Sequence, residues 1–153
     1  MHRVGSGDPG DTMGQRDELI SHLGEVPLFS RCSKRDLQAV TRHIEVVDVG
    51  DGTQLIAQGQ AGDAFYVLLA GRAVVRRNGR KVGELGAGDY FGELALLDPA
   101  PRNADVVALT DIVLARLDAG SFRTMLQSVP AMNERLLVGL ARRIRDADRR
   151  SVA

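Results

Sequence analysis

A change of hydrophobic period at Glu45 limits what this chain can fold into more than any other feature. Before it, Leu19, Ile20 and Leu23, then Leu37, Val40 and Ile44, recur at helical spacing. Pro27 stops the first helix, and Ser33-Lys34-Arg35-Asp36 reads as a capping-type start for the second. After Glu45 the apolar runs become short. Turn clusters separate them at 48–52, 58–63, Gly71, Asn78-Gly79 and 86–89. Strands are expected at 53–57, 64–70, 72–77, 80–85, 103–108 and 112–117, with Asn78-Gly79 as a type I′ hairpin turn. Many short strands at close turn spacing close into an antiparallel barrel or jelly roll.

The helical period then returns. A short helix is expected at 121–127, and Pro130 suits the first turn of the last one. Met132, Leu136, Leu137, Leu140, Ala141 and Ile144 form its apolar stripe. Arg135, Arg142, Arg143, Arg145, Arg149 and Arg150 read as a solvated polar face. The expected fold class is α+β: N-terminal helices at 17–44, an antiparallel β-roll (jelly-roll barrel) at 45–118, and C-terminal helices at 119–149 packed on it. These make a single domain at 15–153, after a disordered lead-in at 1–14 rich in Gly, Asp and Pro.

Bulk properties exclude several function classes. The 153 residues suit one domain, and 20 basic side chains balance 20 acidic ones. Neither DNA nor a membrane surface is expected as partner on charge grounds. Aromatic content of 4% with no Trp leaves an aliphatic core and no platform for stacking nucleic-acid bases. Cys32 is the single cysteine and reads as a small hydrophobe. His2, His22 and His43 are scattered without metal-ligand spacing, so no metal site is expected. No run looks like a membrane span or a secretory signal, and a cytoplasmic location is the expectation.

The residues that carry chemistry lie at 91–108: Phe-Gly-Glu-Leu-Ala-Leu-Leu-Asp-Pro-Ala-Pro-Arg-Asn-Ala-Asp-Val-Val-Ala. Gly92 lets the backbone turn and approach a ligand. Residues 93–97 read as one helical turn whose first amides attract an anion. Arg102 can add a bidentate contact to a phosphate. Glu93 would repel a phosphate, but it suits a sugar hydroxyl as hydrogen-bond acceptor. A cyclic phosphate fused to a ribose meets both demands. The plainer alternative is that Glu93 and Arg102 pair to pin a loop.

This segment resembles the phosphate-binding cassette of cyclic nucleotide-binding domains, the type found in catabolite activators and kinase regulatory subunits. That pattern runs Phe-Gly-Glu-(Leu/Ile)-Ala-Leu-(Leu/Ile), a variable turn, then Pro-Arg-x-Ala-(Thr/Ser)-Val. The resemblance extends over about residues 26–148, and the glycines at 50, 59, 71, 88 and 92 fall at the family's turn positions. It implies that Glu93 binds the ribose 2′-hydroxyl and that Arg102 binds the cyclic phosphate together with the amides of 92–95. The implied ligand-binding set is Gly92, Glu93, Leu94, Ala95, Arg102, Asn103 and Ala104, with Val75, Val82 and Gly83 bordering the base. Ala147 and Asp148 lie where the last helix could form a lid.

Two positions depart from the pattern. Asn103 follows the arginine where Ala, Ser or Thr is usual, and its amide can donate to phosphate or to a purine edge. Asp105 stands where Thr or Ser is usual, and a carboxylate beside a phosphate would weaken binding unless it points away or pairs with a cation. Strand alternation puts Asn103 and Asp105 on one face and Ala104 and Val106 on the other. The expected function is a sensor for cyclic AMP, or cyclic GMP less readily, without catalytic residues or a DNA-reading helix in the sequence. Its output would pass through a homodimer formed by 130–149 or through an unknown partner protein. The alternative is an interaction module that has lost nucleotide binding.

Overall fold

The computed structural model describes residues 12–97 and 101–152, with side-chain surroundings from 18 to 146 apart from 94 and 95. Helix α1 (Thr12–Glu25) gives way at Pro27 to a 3-10 turn (Pro27–Phe29) that buries Leu28 and Phe29. Helix α2 (Lys34–Thr41) starts with a full capping box: the Ser33 hydroxyl accepts from the Asp36 amide, and the Asp36 carboxylate accepts from the Ser33 amide. Two boundaries differ from expectation. Helix α1 begins at Thr12, inside the segment expected to be disordered, because no proline interrupts 12–26. Ile44 lies beyond α2 yet still packs on the core. Residues 1–11, the rest of the expected lead-in, lie outside the described residues.

Strands β1 (Glu45–Val49), β2 (Gln54–Ile56), β3 (Ala64–Ala70), β4 (Ala73–Arg77), β5 (Arg80–Leu85), β6 (Tyr90–Phe91), β7 (Asp105–Ala108) and β8 (Ile112–Asp118) make two antiparallel sheets. Their orders are β1-β8-β3-β6 and β2-β7-β4-β5. This is the expected β-roll. Strand β6 has no counterpart among the expected strands because two residues carry no readable alternation. The β4–β5 turn has Asn78 at φ 54° and Gly79 at φ 79°, as a type I′ hairpin requires. Gly71 ends β3 at φ 93°, where a Cβ would lie 2.5 Å from the Asp111 carbonyl oxygen.

The unbroken apolar run of β3 follows from burial on both faces. Phe65, Val67 and Leu69 pack with Ala115 and Leu117 of β8 against the helices, while Leu68 joins Val49, Ile56, Phe91, Val106, Ile112 and Leu114 inside the roll. Helix α4 (Ala119–Ser128) is capped by Asp118, whose carboxylate accepts from the Ser121 amide. It contributes Phe122, stacked on Phe65 at 4.7 Å between centroids.

Helix α5 (Pro130–Val152) buries Met132 and Leu136 in the same core. The expected stripe therefore divides. Met132 and Leu136 are committed to the chain's own core, whereas Leu137 and Ile144 stand 66% and 63% exposed. The first half of α5 is tied to the N-terminal region by an Arg31–Glu134 ion pair at 3.0 Å and by Arg135 Nε donating to the Pro27 carbonyl at 3.3 Å. No helix among the described residues is long and apolar enough to cross a membrane.

Candidate functional site

The 91–108 segment bridges the two sheets. Strand β6 pairs with β3, opposing Phe91 to Tyr66 and Tyr90 to Val67. The chain then turns at Gly92, with φ 90°. A Cβ there would lie 3.0 Å from the Ala64 carbonyl oxygen and 3.0 Å from an Arg102 guanidinium nitrogen, so only glycine fits. Glu93 follows, and its carbonyl accepts from the amides of Leu96 and Leu97 to start helix α3 (Leu94–Leu97). Leu96 turns into the core between the sheet and the helices, and Leu97 is exposed. Leu94 and Ala95 lie on this turn as expected, but their side chains are outside the described residues.

Arg102 is 7% exposed and lies beneath the Gly92 turn. One terminal nitrogen donates to the Gly92 carbonyl at 2.6 Å, the other to the Ala64 carbonyl at 2.8 Å. Its backbone is fixed by the 58–60 turn: its amide donates to the Gln60 carbonyl, and its carbonyl accepts from the Gly59 amide. These contacts occupy two of the five N–H donors of a guanidinium. Arg102 is thus oriented by backbone carbonyls, and the alternative in which it pairs with Glu93 to pin the loop is not what forms.

Glu93 is 1% exposed. Its partner is an arginine fifty residues downstream. Arg143 of α5 donates to Glu93 Oε1 at 2.5 Å and, through its second terminal nitrogen, to the Tyr90 carbonyl at 2.5 Å. Its guanidinium also sits 4.5 Å above the Tyr90 ring. Burial pushes the Glu93 carboxyl above its ordinary pKa, and the Arg143 charge is the strongest influence opposing that rise, with Arg102 contributing less. Glu93 Oε2 is buried and accepts no hydrogen bond from any described residue. An unpartnered carboxylate oxygen in such a place is costly unless something else donates to it.

Arg143 was not legible as part of a site among the six arginines of the last helix. The available signal was phase: Arg143 follows the buried Leu136 by seven residues, which puts it on the face of α5 turned toward the core.

The remaining expected site residues fall on the second sheet. Val75 of β4 lies opposite Gly83 of β5, and a bulge between Val75 and Arg76 accommodates Val82. Val75 also lies opposite Val106 of β7 and packs on the cluster inside the roll. The three residues expected at the base are therefore neighbours on the sheet that carries the exit strand of the cassette. Ala104 is buried, whereas Asn103 is exposed, and its carbonyl accepts from Arg77 Nε at 3.1 Å. The side chains of Ala147 and Asp148 lie outside the described residues.

Asp105 is held from the β2 side. Its carboxylate accepts from the Gln58 amide at 2.7 Å and from Gln54 Nε2 at 3.1 Å. It ties β7 to the turn after β2 instead of standing as a loose charge beside a phosphate. Alternation along β7 holds as expected, with Ala104 and Val106 buried and Asn103 and Asp105 on the outer side. Cys32 behaves as expected: it packs against the core, and burial pushes its thiol up to about 11. Among the described residues no cluster of three His, Cys, Asp or Glu side chains could hold a metal.

Comparison with known proteins identifies the fold. Residues 46–129 match the model of the cyclic nucleotide-binding domain. A cAMP-dependent protein kinase regulatory subunit from Aspergillus niger is 39% identical over 122 residues, 78% of this chain and 30% of the relative. Among solved structures, the regulatory domain of Toxoplasma gondii PKA with cAMP superposes with a TM-score of 0.75 at 29% identity, covering 86% of this chain and 51% of that one. The regulatory subunit of a cAMP-independent protein kinase A from Trypanosoma brucei gives 0.71 at 30% identity, covering 81% and 47%. The chain spans 30% of the Aspergillus niger relative and about half of each of these two solved chains. The match to the family model covers more than half of the sequence, and the chain belongs to the cyclic nucleotide-binding domain family.

Proposed function

We propose that this site binds a 3′,5′-cyclic nucleotide, cyclic AMP before cyclic GMP, and that the domain works as a regulatory sensor. The observation that carries the reading is the buried, unpartnered Glu93 Oε2. A ribose 2′-hydroxyl would donate to it. Arg102, held under the Gly92 turn with N–H donors to spare, would take the equatorial phosphate oxygens. Val75, Val82 and Gly83 supply an aliphatic wall for the base. Chemistry on the nucleotide is not part of this reading, because the partner of Glu93 is a guanidinium and not a nucleophile.

The output would be a homodimer through 130–149, centred on Leu137 and Ile144, which lie seven residues apart on the exposed side of α5. The domain would act in the cytoplasm. A second reading, an interaction module without cyclic nucleotide, has a specific motive: a neighbour of nearly equal similarity is the regulatory subunit of a cAMP-independent kinase. Fold likeness therefore does not choose between the two readings, and the retained Glu93 and Arg102 favour the first.

Melting curves with millimolar cyclic AMP, cyclic GMP and 5′-AMP test the proposal. A ligand at one hundred times its dissociation constant adds about 2.7 kcal/mol, so either cyclic nucleotide should raise Tm while linear 5′-AMP leaves it unchanged. No shift with either cyclic nucleotide would select the interaction module.

A further inference from the structure

Gly139 stands in the interior of α5, where glycine is a poorer helix former than alanine. Its surroundings explain the choice. A Cβ on Gly139 would overlap the Tyr90 hydroxyl outright and stand 3.1 Å from the ring carbon Cζ. In the notch so left, Tyr90 is 8% exposed and donates its hydroxyl to the Leu136 carbonyl at 3.2 Å. One helical turn further on, Arg143 covers the same ring at 4.5 Å and reaches both Glu93 and the Tyr90 carbonyl. Helix α5 is thus fastened to the cassette at two successive points, the ring in the notch and the guanidinium on the carboxylate. Tyr90 precedes Glu93 by three residues and Gly139 precedes Arg143 by four, so the two fastenings run side by side.

We propose that the Tyr90–Gly139 notch is the joint that couples occupancy of the site to the position of α5, and that it does so by setting Arg143 on Glu93. The proposal rests on the cyclic nucleotide reading and names the regulation of that same site. Tyr90 and Gly139 are positioning residues; they act through Arg143. When the notch is filled by the ring, Glu93 is oriented with Oε2 open to a donor. When it is not, Arg143 has no reason to lie over the cassette. Linkage makes the relation reciprocal: a ligand that draws on the oriented Glu93 holds α5 down by the same factor by which a docked α5 strengthens the ligand.

The test uses the full chain with Gly139→Ala, Tyr90→Phe, the two together, and Gly139→Ala combined with Arg143→Ala. Hydrogen exchange of the α5 amides from 136 to 146 is followed without nucleotide, and cyclic AMP affinity is measured by calorimetry. Alanine favours helix intrinsically, yet Gly139→Ala should speed exchange along α5, and adding Tyr90→Phe, which removes the overlapping hydroxyl, should slow it again. Gly139→Ala should weaken cyclic AMP about tenfold. In the Arg143→Ala background it should weaken it no further. Unchanged or slower exchange in Gly139→Ala overturns the notch. Faster exchange with unchanged affinity, or losses that add fully to those of Arg143→Ala, overturns the coupling. Absence of cyclic AMP binding by the unsubstituted chain rejects the nucleotide reading, and the coupling with it, in an arm separate from the exchange result, which still decides the notch.

Discussion

Arg143 and Glu93 are fifty residues apart in sequence and 2.5 Å apart in space, the Glu93 side chain buried and the Arg143 side chain 43% exposed. A charge pair with one buried member is asymmetric. Removing the outer partner leaves an uncompensated carboxylate inside, whereas removing the inner one leaves an arginine free to solvate.

Arg143→Ala is accordingly expected to destabilise the fold by about 1–3 kcal/mol, less than a wholly buried pair because Arg143 is partly solvated. The sign with pH follows from Glu93. Its folded pKa is raised above the unfolded value, so its contribution is most favourable below the ordinary glutamate range and is lost as pH rises through the raised pKa. Without Arg143 that rise is larger. The deficit should be greatest at neutral pH and shrink on acidification, and cyclic AMP affinity should begin to fall at a higher pH than in the unsubstituted chain. Urea titrations and calorimetry across this range read both effects; a deficit that grows on acidification would contradict the assignment.

Glu93→Gln separates stability from binding. Glutamine keeps an acceptor for Arg143 and removes a buried charge, so Tm at pH 7 should hold or rise. Cyclic AMP should bind more weakly by about 1.5–3 kcal/mol, the worth of a charge-assisted hydrogen bond. A fall in Tm with affinity preserved would place Glu93 in the framework and not in the site.

Asp105 tests a local tie. Asp105→Ala removes the acceptor of the Gln58 amide and of Gln54 Nε2, and is expected to cost about 1–2 kcal/mol of stability. Asp105→Asn keeps an oxygen in place and should cost less. Neither should change cyclic AMP affinity more than a few-fold, since the carboxylate is committed to the β2 side. A large gain in affinity in Asp105→Asn would show that the charge reaches the phosphate after all.

In the proposed homodimer the exposed Leu137 and Ile144 would form the contact. Leu137→Glu with Ile144→Glu alters exposed positions and should leave the monomer fold intact, while light scattering moves from dimer mass to monomer mass. A chain that is monomeric before substitution contradicts the homodimer directly.

The β-roll was readable because glycine turns and the I′ signal at Asn78-Gly79 punctuate it, and because β3, buried on both faces, is apolar throughout. Ser33 and Asp36 announced the start of α2 through local chemistry alone. The site was readable only where it is local. Gly92, Glu93 and Arg102 lie within ten residues, so their joint meaning survives in one segment. Arg143 does not announce itself, since selecting it from its neighbours needs the docking of α5. Asp105 looked like a defect because its type suggested repulsion, and only the position of Gln54 and Gln58 across the sheet shows its partners. Helix α1 began earlier than expected because composition alone does not fix where a first turn forms.

Arg102, oriented by the Gly92 and Ala64 carbonyls, is the group proposed to receive the cyclic phosphate. Titration calorimetry of cyclic AMP into the unsubstituted chain and into Arg102→Ala, at matched folded fraction, tests it most directly. The expected result is a micromolar or tighter Kd for the first and a loss of about 2–5 kcal/mol for the second, the penalty for leaving the ligand's charge unpaired in a half-buried site. Equal affinity in the two proteins, or no binding by the first, would contradict it.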